Sequence, residues 1–257
     1  MRYHSIDQIH LLQMATSSTI GTTVGNQETV NNINTLSDSS VFGKDMADLY
    51  LSSHAVTMEG RCGPMFCGKS TWLNNKLTWF ADQGFNVIKV TWHLDDRPDV
   101  EASDDAGSTH NSSYTKLSPK VKRLKLSKLA DLFNLDVYDI TSTHVVGVDE
   151  AQFFPDLYDN AVKLNELGKH FCFAGLDGDY KRRKFGQVLD LIPECDSFKK
   201  MKATCKLCLA QLAKIGFMGN PAHISGPFTK RLVDSDEQTL IGGPNSYIPA
   251  CRHHHTS

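Results

Sequence analysis

Between Cys62 and Thr71 the chain reads Gly63-Pro64-Met65-Phe66-Cys67-Gly68-Lys69-Ser70, two glycines five residues apart with Lys-Ser directly after the second. This is the pattern of a phosphate-cradling loop, G-x-x-x-x-G-K-[ST]. Glycines let the backbone curl until successive N–H groups converge on anionic oxygens, and a helix opening at the lysine adds its positive end. In such a loop Lys69 reaches the β and γ phosphates of a nucleoside triphosphate. The Ser70 hydroxyl is placed for Mg²⁺, a small ion that keeps waters and phosphate oxygens around it. The loop also constrains the fold, because it joins a strand to a helix. Apolar residues at Leu73, Leu77 and Phe80 have the spacing of a helix with one buried face. The preceding stretch, His54 to Cys62, is less regular: Gly60 and Arg61 stand where a buried parallel strand is usually apolar.

Strand and helix signals alternate further along. Phe85–Trp92 is rich in β-branched residues, Thr143–Val148 is an apolar run, Leu157–Leu167 has a helical pattern, and His170–Leu176 is apolar again. Strands separated by helices imply βαβ units and a parallel sheet. Asp95–Pro119 is polar and glycine- or serine-bearing and predicts a long mobile loop. The basic run Lys120–Leu129 interleaves Leu124, Leu126 and Leu129 with its charges, the mark of a solvated surface element. Residues 1–55 are Ser-, Thr- and Asn-rich and too polar to repay ordering, so a disordered extension is expected. The domain reading is 1–55 extension, 56–198 α/β domain, and 199–257 a small lobe of different texture. No internal repeat is present.

The strand Val145–Val148 runs into Asp149-Glu150, so two carboxylates stand at the carboxyl end of a sheet strand, where open α/β sheets bind ligands. Adjacent residues on a strand point apart, which allows two roles. Asp149 is assigned to the Mg²⁺ shell and Glu150 to general base, taking the proton of an attacking hydroxyl. The alternative is a helix cap followed by an acid that suits the next helix's dipole. In the C-terminal lobe, Cys205-x-x-Cys208 and Cys251-x-x-His254 make two pairs of equal spacing and together a Cys₃His set for structural zinc. His253 and His255 compete with His254 for the fourth place, and the three histidines read alternatively as an exposed tail. Cys62, Cys67, Cys172 and Cys195 are expected to be packed thiols.

The chain has 257 residues, 40% hydrophobic and 22% charged, with a net charge of −2. That balance gives no electrostatic footprint for nucleic acid or an anionic membrane, and no apolar run approaches the ~20 residues of a membrane span. With seven cysteines and no secretory signal pattern, reduced thiols and a cytoplasmic location are expected.

Five blocks in one order, Gly63–Thr71, Val148–Leu157, Gly175–Gly186, Thr229–Leu232 and Ile241–Tyr247, followed by the cysteine pairs, resemble the cytosolic, zinc-containing thymidine kinases (type II). The resemblance implies a P-loop parallel sheet flanked by helices, with a small C-terminal zinc-binding lobe carrying a lasso-like loop. It implies transfer of the ATP γ-phosphoryl to the 5′-hydroxyl of thymidine, or of deoxyuridine, in pyrimidine salvage. Gly63, Pro64, Met65, Phe66, Cys67, Gly68, Lys69, Ser70 and Thr71 then serve the ATP phosphates. Arg97 joins them, and Asp95 joins Ser70 and Asp149 at Mg²⁺. Met65, Phe153, Leu176, Tyr180, Phe185, Thr229, Leu240 and Tyr247 fall where the family encloses the nucleoside. A homo-oligomer, dimer or tetramer, and feedback inhibition by dTTP are further implications. Three departures stand out: the fourth zinc position is His rather than Cys, the segment between the cysteine pairs carries extra residues around Leu209 to Gly226, and Gln238 replaces an apolar residue of the pocket. The rival readings are a deoxynucleoside kinase of broad specificity and a non-catalytic zinc-stabilised nucleotide-binding module.

Overall fold

The computed structural model describes residues 56–95, 117–134, 138–216, 224–240 and 242–256. All of them fall within one compact unit, Ser52–Ser257. The N-terminal extension, most of the loop expected at 95–119, and Arg97 lie outside the described residues.

Six strands form the central sheet: β1 (Met58–Cys62), β2 (Val87–Trp92), β3 (Lys122–Leu126), β4 (Val145–Val148), β5 (His170–Gly175) and β6 (Ser197–Lys200). Their order is β3-β2-β4-β5-β1-β6, and every pairing is parallel. All six carboxyl ends therefore share one edge. Helix α1 (Lys69–Asp82) lies on one face and α2 (Leu157–Glu166) on the other. The alternation of strand side chains sorts the core accordingly. Val145, Cys172 and Ala174 join Leu73, Leu77 and Phe80 of α1, while Val146, Val148, Phe171 and Phe173 join Leu157, Ala161 and Leu164 of α2.

The irregular residues of β1 have packing reasons. A Cβ on Gly60 would lie 2.3 Å from the Phe173 ring, so the missing side chain is what admits the aromatic. Arg61 donates to Gly60 O (2.8 Å) and lies 4.5 Å over the Trp72 ring, a cation seated on an aromatic face rather than buried bare. On β4, Gly147 plays the matching part for α1, since a Cβ there would meet Leu77 at 2.5 Å. The basic run is the edge strand β3, with Lys122, Arg123 and Lys125 exposed and Leu126 buried.

The C-terminal lobe is built from two short antiparallel pairs, β7 (Ala203–Thr204) with β8 (Ser225–Gly226) and β9 (Phe228–Arg231) with β10 (Tyr247–Ala250). Helices α3 (Lys206–Lys214) and α4 (Arg252–Thr256) complete it. None of the described helices is long and apolar enough to cross a membrane.

Strand propensity alone favours valine over glycine at position 60, but the ring contact opposes it. Gly60→Val should destabilise the fold by about 1–3 kcal/mol or more, the usual cost of overpacking. Chemical denaturation followed by circular dichroism measures it, and a neutral or stabilising result would contradict the packing described.

Candidate active site

The loop after β1 turns through left-handed conformations at Phe66 (φ 64°) and Gly68 (φ 86°), and Gly68 caps α1. Phe66 is a non-glycine residue in that region, the sort of strain found at ligand-binding loops. Lys69 is buried, and its ammonium donates to Pro64 O at 2.7 Å across the loop. One residue on, the Ser70 hydroxyl donates to Asp149 Oδ1 at 2.9 Å. The same oxygen accepts the Glu150 N–H at 3.0 Å, and Asp149 Oδ2 faces the Lys89 ammonium at 3.3 Å. Asp149 and Lys89 are both buried, and their opposite charges offset one another.

Glu150 leaves the strand differently. Its backbone is left-handed (φ 51°, ψ 41°) and opens a 3-10 turn, Ala151–Phe153. Gln152 then donates from Nε2 to Glu150 Oε2 at 2.6 Å and accepts the Leu176 N–H on Oε1 at 2.8 Å. It is buried, so its amide is locked between the two groups. The phosphate loop and the two acids thus share the carboxyl edge of the sheet, a proton acceptor next to an anion cradle.

The cysteine lobe brings four potential ligands together. His254 Nδ1 lies 3.6, 3.2 and 3.4 Å from the sulfurs of Cys205, Cys208 and Cys251, and the sulfurs of Cys208 and Cys251 are 3.7 Å apart. All four ligand atoms fall within 4.8 Å of one another. A tetrahedral Zn²⁺ with bonds of 2.0–2.3 Å needs ligand separations of about 3.5–3.8 Å, so the set fits. Burial opposes ionisation of the Cys205 thiol, but hydrogen bonds from the Cys208 and Cys251 backbone and from neighbouring side chains outweigh it and lower its pKa, while burial and the neighbouring Cys205 and Cys251 push the Cys208 thiol up. The thiolate is the form that binds metal. His254 is buried while His253 is exposed, and His255 is turned to Tyr180 O at 2.9 Å. The remaining cysteines are packed thiols. Burial raises Cys62, Cys172 and Cys195 to about 12 and also pushes up Cys67.

A sequence profile of the family described as Thymidine kinase matches residues 56–255. The chain belongs to the thymidine kinase family. Among its relatives, "Thymidine kinase" of Oryza sativa subsp. japonica is 40% identical over 195 residues, covering 75% of this chain and 64% of that one. "Thymidine kinase a" of Arabidopsis thaliana is 37% identical over 220 residues (85% and 82%), and "Thymidine kinase, cytosolic" of Gallus gallus 30% over 190 (74% and 72%). The chain therefore spans slightly under two thirds of the rice relative's length and more of the other two.

The residues that the thymidine kinase resemblance assigns to the nucleoside fall into three groups. Met65 and Thr229 join the phosphate loop to the lobe, the Met65 N–H donating to the Thr229 hydroxyl at 3.0 Å. Phe153 and Phe185 meet edge to face at 5.5 Å beside Gln152, whose Oε1 holds Leu176. Tyr180, Leu240 and Tyr247 gather around Arg231, whose guanidinium lies 3.6 Å over the Tyr180 ring and donates to the Tyr247 hydroxyl at 2.9 Å. Asp95 follows β2, with its N–H on Trp92 O and its own carbonyl accepting from Lys125.

Sequence reasoning passed over Lys89, Gln152 and Arg231. Each carried a signal: a lysine inside the apolar run Val87-Ile88-Lys89-Val90, an amide two residues after the candidate base, and an arginine in register with Thr229 on the buried face of β9. Gln238, the departure from an apolar pocket residue, directs its amide to Asp179 Oδ2 at 3.0 Å.

Burial alone would raise the Asp179 pKa. The donors from Arg183, Gln238 and Lys181 outweigh it and hold the group below the ordinary 3.8. A depressed folded-state pKa means that the carboxylate's stabilising effect is complete above the ordinary value and is lost as pH falls through the lowered one. The melting temperature of wild type should exceed that of Asp179→Asn by a constant margin from about pH 7 to 5, and the margin should close below about pH 4. Thermal melts of both proteins across that range measure it; a margin already shrinking near pH 6 would contradict the assignment.

Proposed function

We propose that the chain transfers the γ-phosphoryl group of ATP to the 5′-hydroxyl of thymidine, with deoxyuridine as a second acceptor. The observation that carries this reading is the Ser70–Asp149 contact at 2.9 Å, because it sets the phosphate loop and the Asp149-Glu150 pair against one another on one sheet edge. Family membership supplies the kinase chemistry.

The loop amides from Met65 to Ser70 receive the phosphate chain. Lys69 exchanges Pro64 O for β and γ oxygens, leaving a buried ammonium paired with anionic oxygen instead of a peptide carbonyl. Ser70 and Asp149 are the groups that would hold Mg²⁺, and the family resemblance adds Asp95. The ion, when bound, neutralises charge on the phosphates. Glu150 accepts the proton of the 5′-hydroxyl as the oxygen attacks phosphorus, and Gln152 keeps the carboxylate facing the acceptor. Phe153, Phe185 and Leu176 supply flat apolar walls for the base, and the loop ending at Leu240 closes over it. Cys205, Cys208, Cys251 and His254 would hold a structural Zn²⁺, which staples the lobe from which that loop springs. A cytoplasmic homo-oligomer, dimer or tetramer, subject to inhibition by dTTP, completes the proposal.

Product assays with ATP, Mg²⁺ and each nucleoside in turn test it. Thymidine and deoxyuridine should be phosphorylated and purine nucleosides hardly at all. Glu150→Gln should lower turnover by about 10²–10⁴-fold with binding largely kept. Equal turnover of deoxycytidine would mark a broad-specificity kinase, and tight binding with no product a non-catalytic module.

The metal proposal has its own measurement. Purified protein should contain one zinc per chain by elemental analysis, and Cys205→Ser should lose it. Thymidine affinity should fall in that variant before ATP affinity does. A metal-free wild type of full affinity would remove zinc from the account.

A further inference from the structure

Arg231 is buried at the end of β9, and its guanidinium faces a single loop. Nη1 donates to Ser235 O (2.9 Å) and Glu237 O (2.6 Å), while Nη2 donates to Gln238 O (3.2 Å) and to the Tyr247 hydroxyl (2.9 Å). Nε reaches the same hydroxyl at 3.2 Å. That hydroxyl in turn donates to Leu240 O at 2.8 Å. The Tyr180 ring stacks under the guanidinium, and its own hydroxyl donates to Ser235 O at 3.1 Å. Four carbonyls of one short loop are thus turned toward one cation, three directly and one through a tyrosine.

Packing does not hold this loop. No residue from 232 to 240 is buried, and Leu232 and Val233 are 50% and 41% exposed. Outer ties exist, Gln238 to Asp179 at 3.0 Å and Lys181 to Asp236 at 3.0 Å, but the second is solvent-exposed and such pairs contribute little. The buried, charge-assisted donors of Arg231 are what fix the backbone. A lysine could not substitute, because a point charge on a flexible stem lacks the planar fork that serves several acceptors at once.

We infer that Arg231 is a positioning residue that shapes the nucleoside lid: by gathering the carbonyls of 235–240 it sets the lid's inner contour and so governs thymidine binding without touching the reacting atoms. The inference rests on the reading of the loop through Leu240 as the cover of the base. Its test separates the two.

In the absence of any nucleoside, a Glu-specific endoprotease should cut after Glu237 slowly in wild type. The cut should be at least about tenfold faster in Arg231→Lys and faster by a smaller factor in Tyr247→Phe, as expected when charged hydrogen bonds to a surface loop are lost. In steady-state assays the same variants should raise the KM for thymidine by about tenfold or more while the KM for ATP stays within about twofold. Protease rates equal to wild type would overturn the inference. So would thymidine and ATP constants rising in parallel with a lowered melting temperature, which describes a general packing role. If Arg231→Lys does not fold, Tyr247→Phe decides both arms. If the chain proves not to phosphorylate thymidine, the proteolysis arm still decides how the loop is held.

Discussion

One buried carboxylate organises the molecule's working edge. Asp149 directly follows β4, accepts a hydrogen bond from the Ser70 hydroxyl at the start of α1, accepts the Glu150 N–H, and balances the buried ammonium of Lys89 on β2. A bare carboxylate buried in that position would be costly, and the opposite charge of Lys89 offsets part of that cost. These contacts therefore fix the relation between three elements spread over the 79 residues from Ser70 to Asp149. Asp149 joins the start of α1, at Ser70, to the backbone of Glu150.

The sheet supplies the second condition. Helix α1 can begin at the phosphate loop and still press on β4 because Gly147 leaves room for Leu77, and β1 can carry the loop between β5 and β6 because Gly60 leaves room for Phe173. Large side chains on one element meet missing side chains on the next.

Much of this was readable in the chain. Gly63 to Ser70, the 3.6-residue period of α1, and the apolar runs of β2, β4 and β5 each reflect local physics, backbone freedom or burial on one or both faces, and the structure places those elements where the pattern does. The order β3-β2-β4-β5-β1-β6 was not readable, because a strand's periodicity says which faces are buried and nothing about its neighbour. Gly60 and Arg61 looked like faults in a strand for the same reason: the Phe173 ring and the Trp72 face that accommodate them lie far along the chain or across a turn. Spacing pointed to His254 among three consecutive histidines, and His254 is the one of the three that is buried and beside the cysteine sulfurs. Arg231 escaped notice because a short strand ending in a charge is ordinarily solvated. Only the loop folded back over it shows otherwise. Arg97 and residues 1–55 lie outside the described residues.

Glu150 occupies a region of backbone space that glycine or asparagine enters far more cheaply, at a penalty for other residues of order 1–2 kcal/mol. Chemistry and durability therefore pull against each other at one position. A chain selected only to survive heat would gain by surrendering that side chain, and under the proposed function the same exchange would remove the group that takes the acceptor's proton.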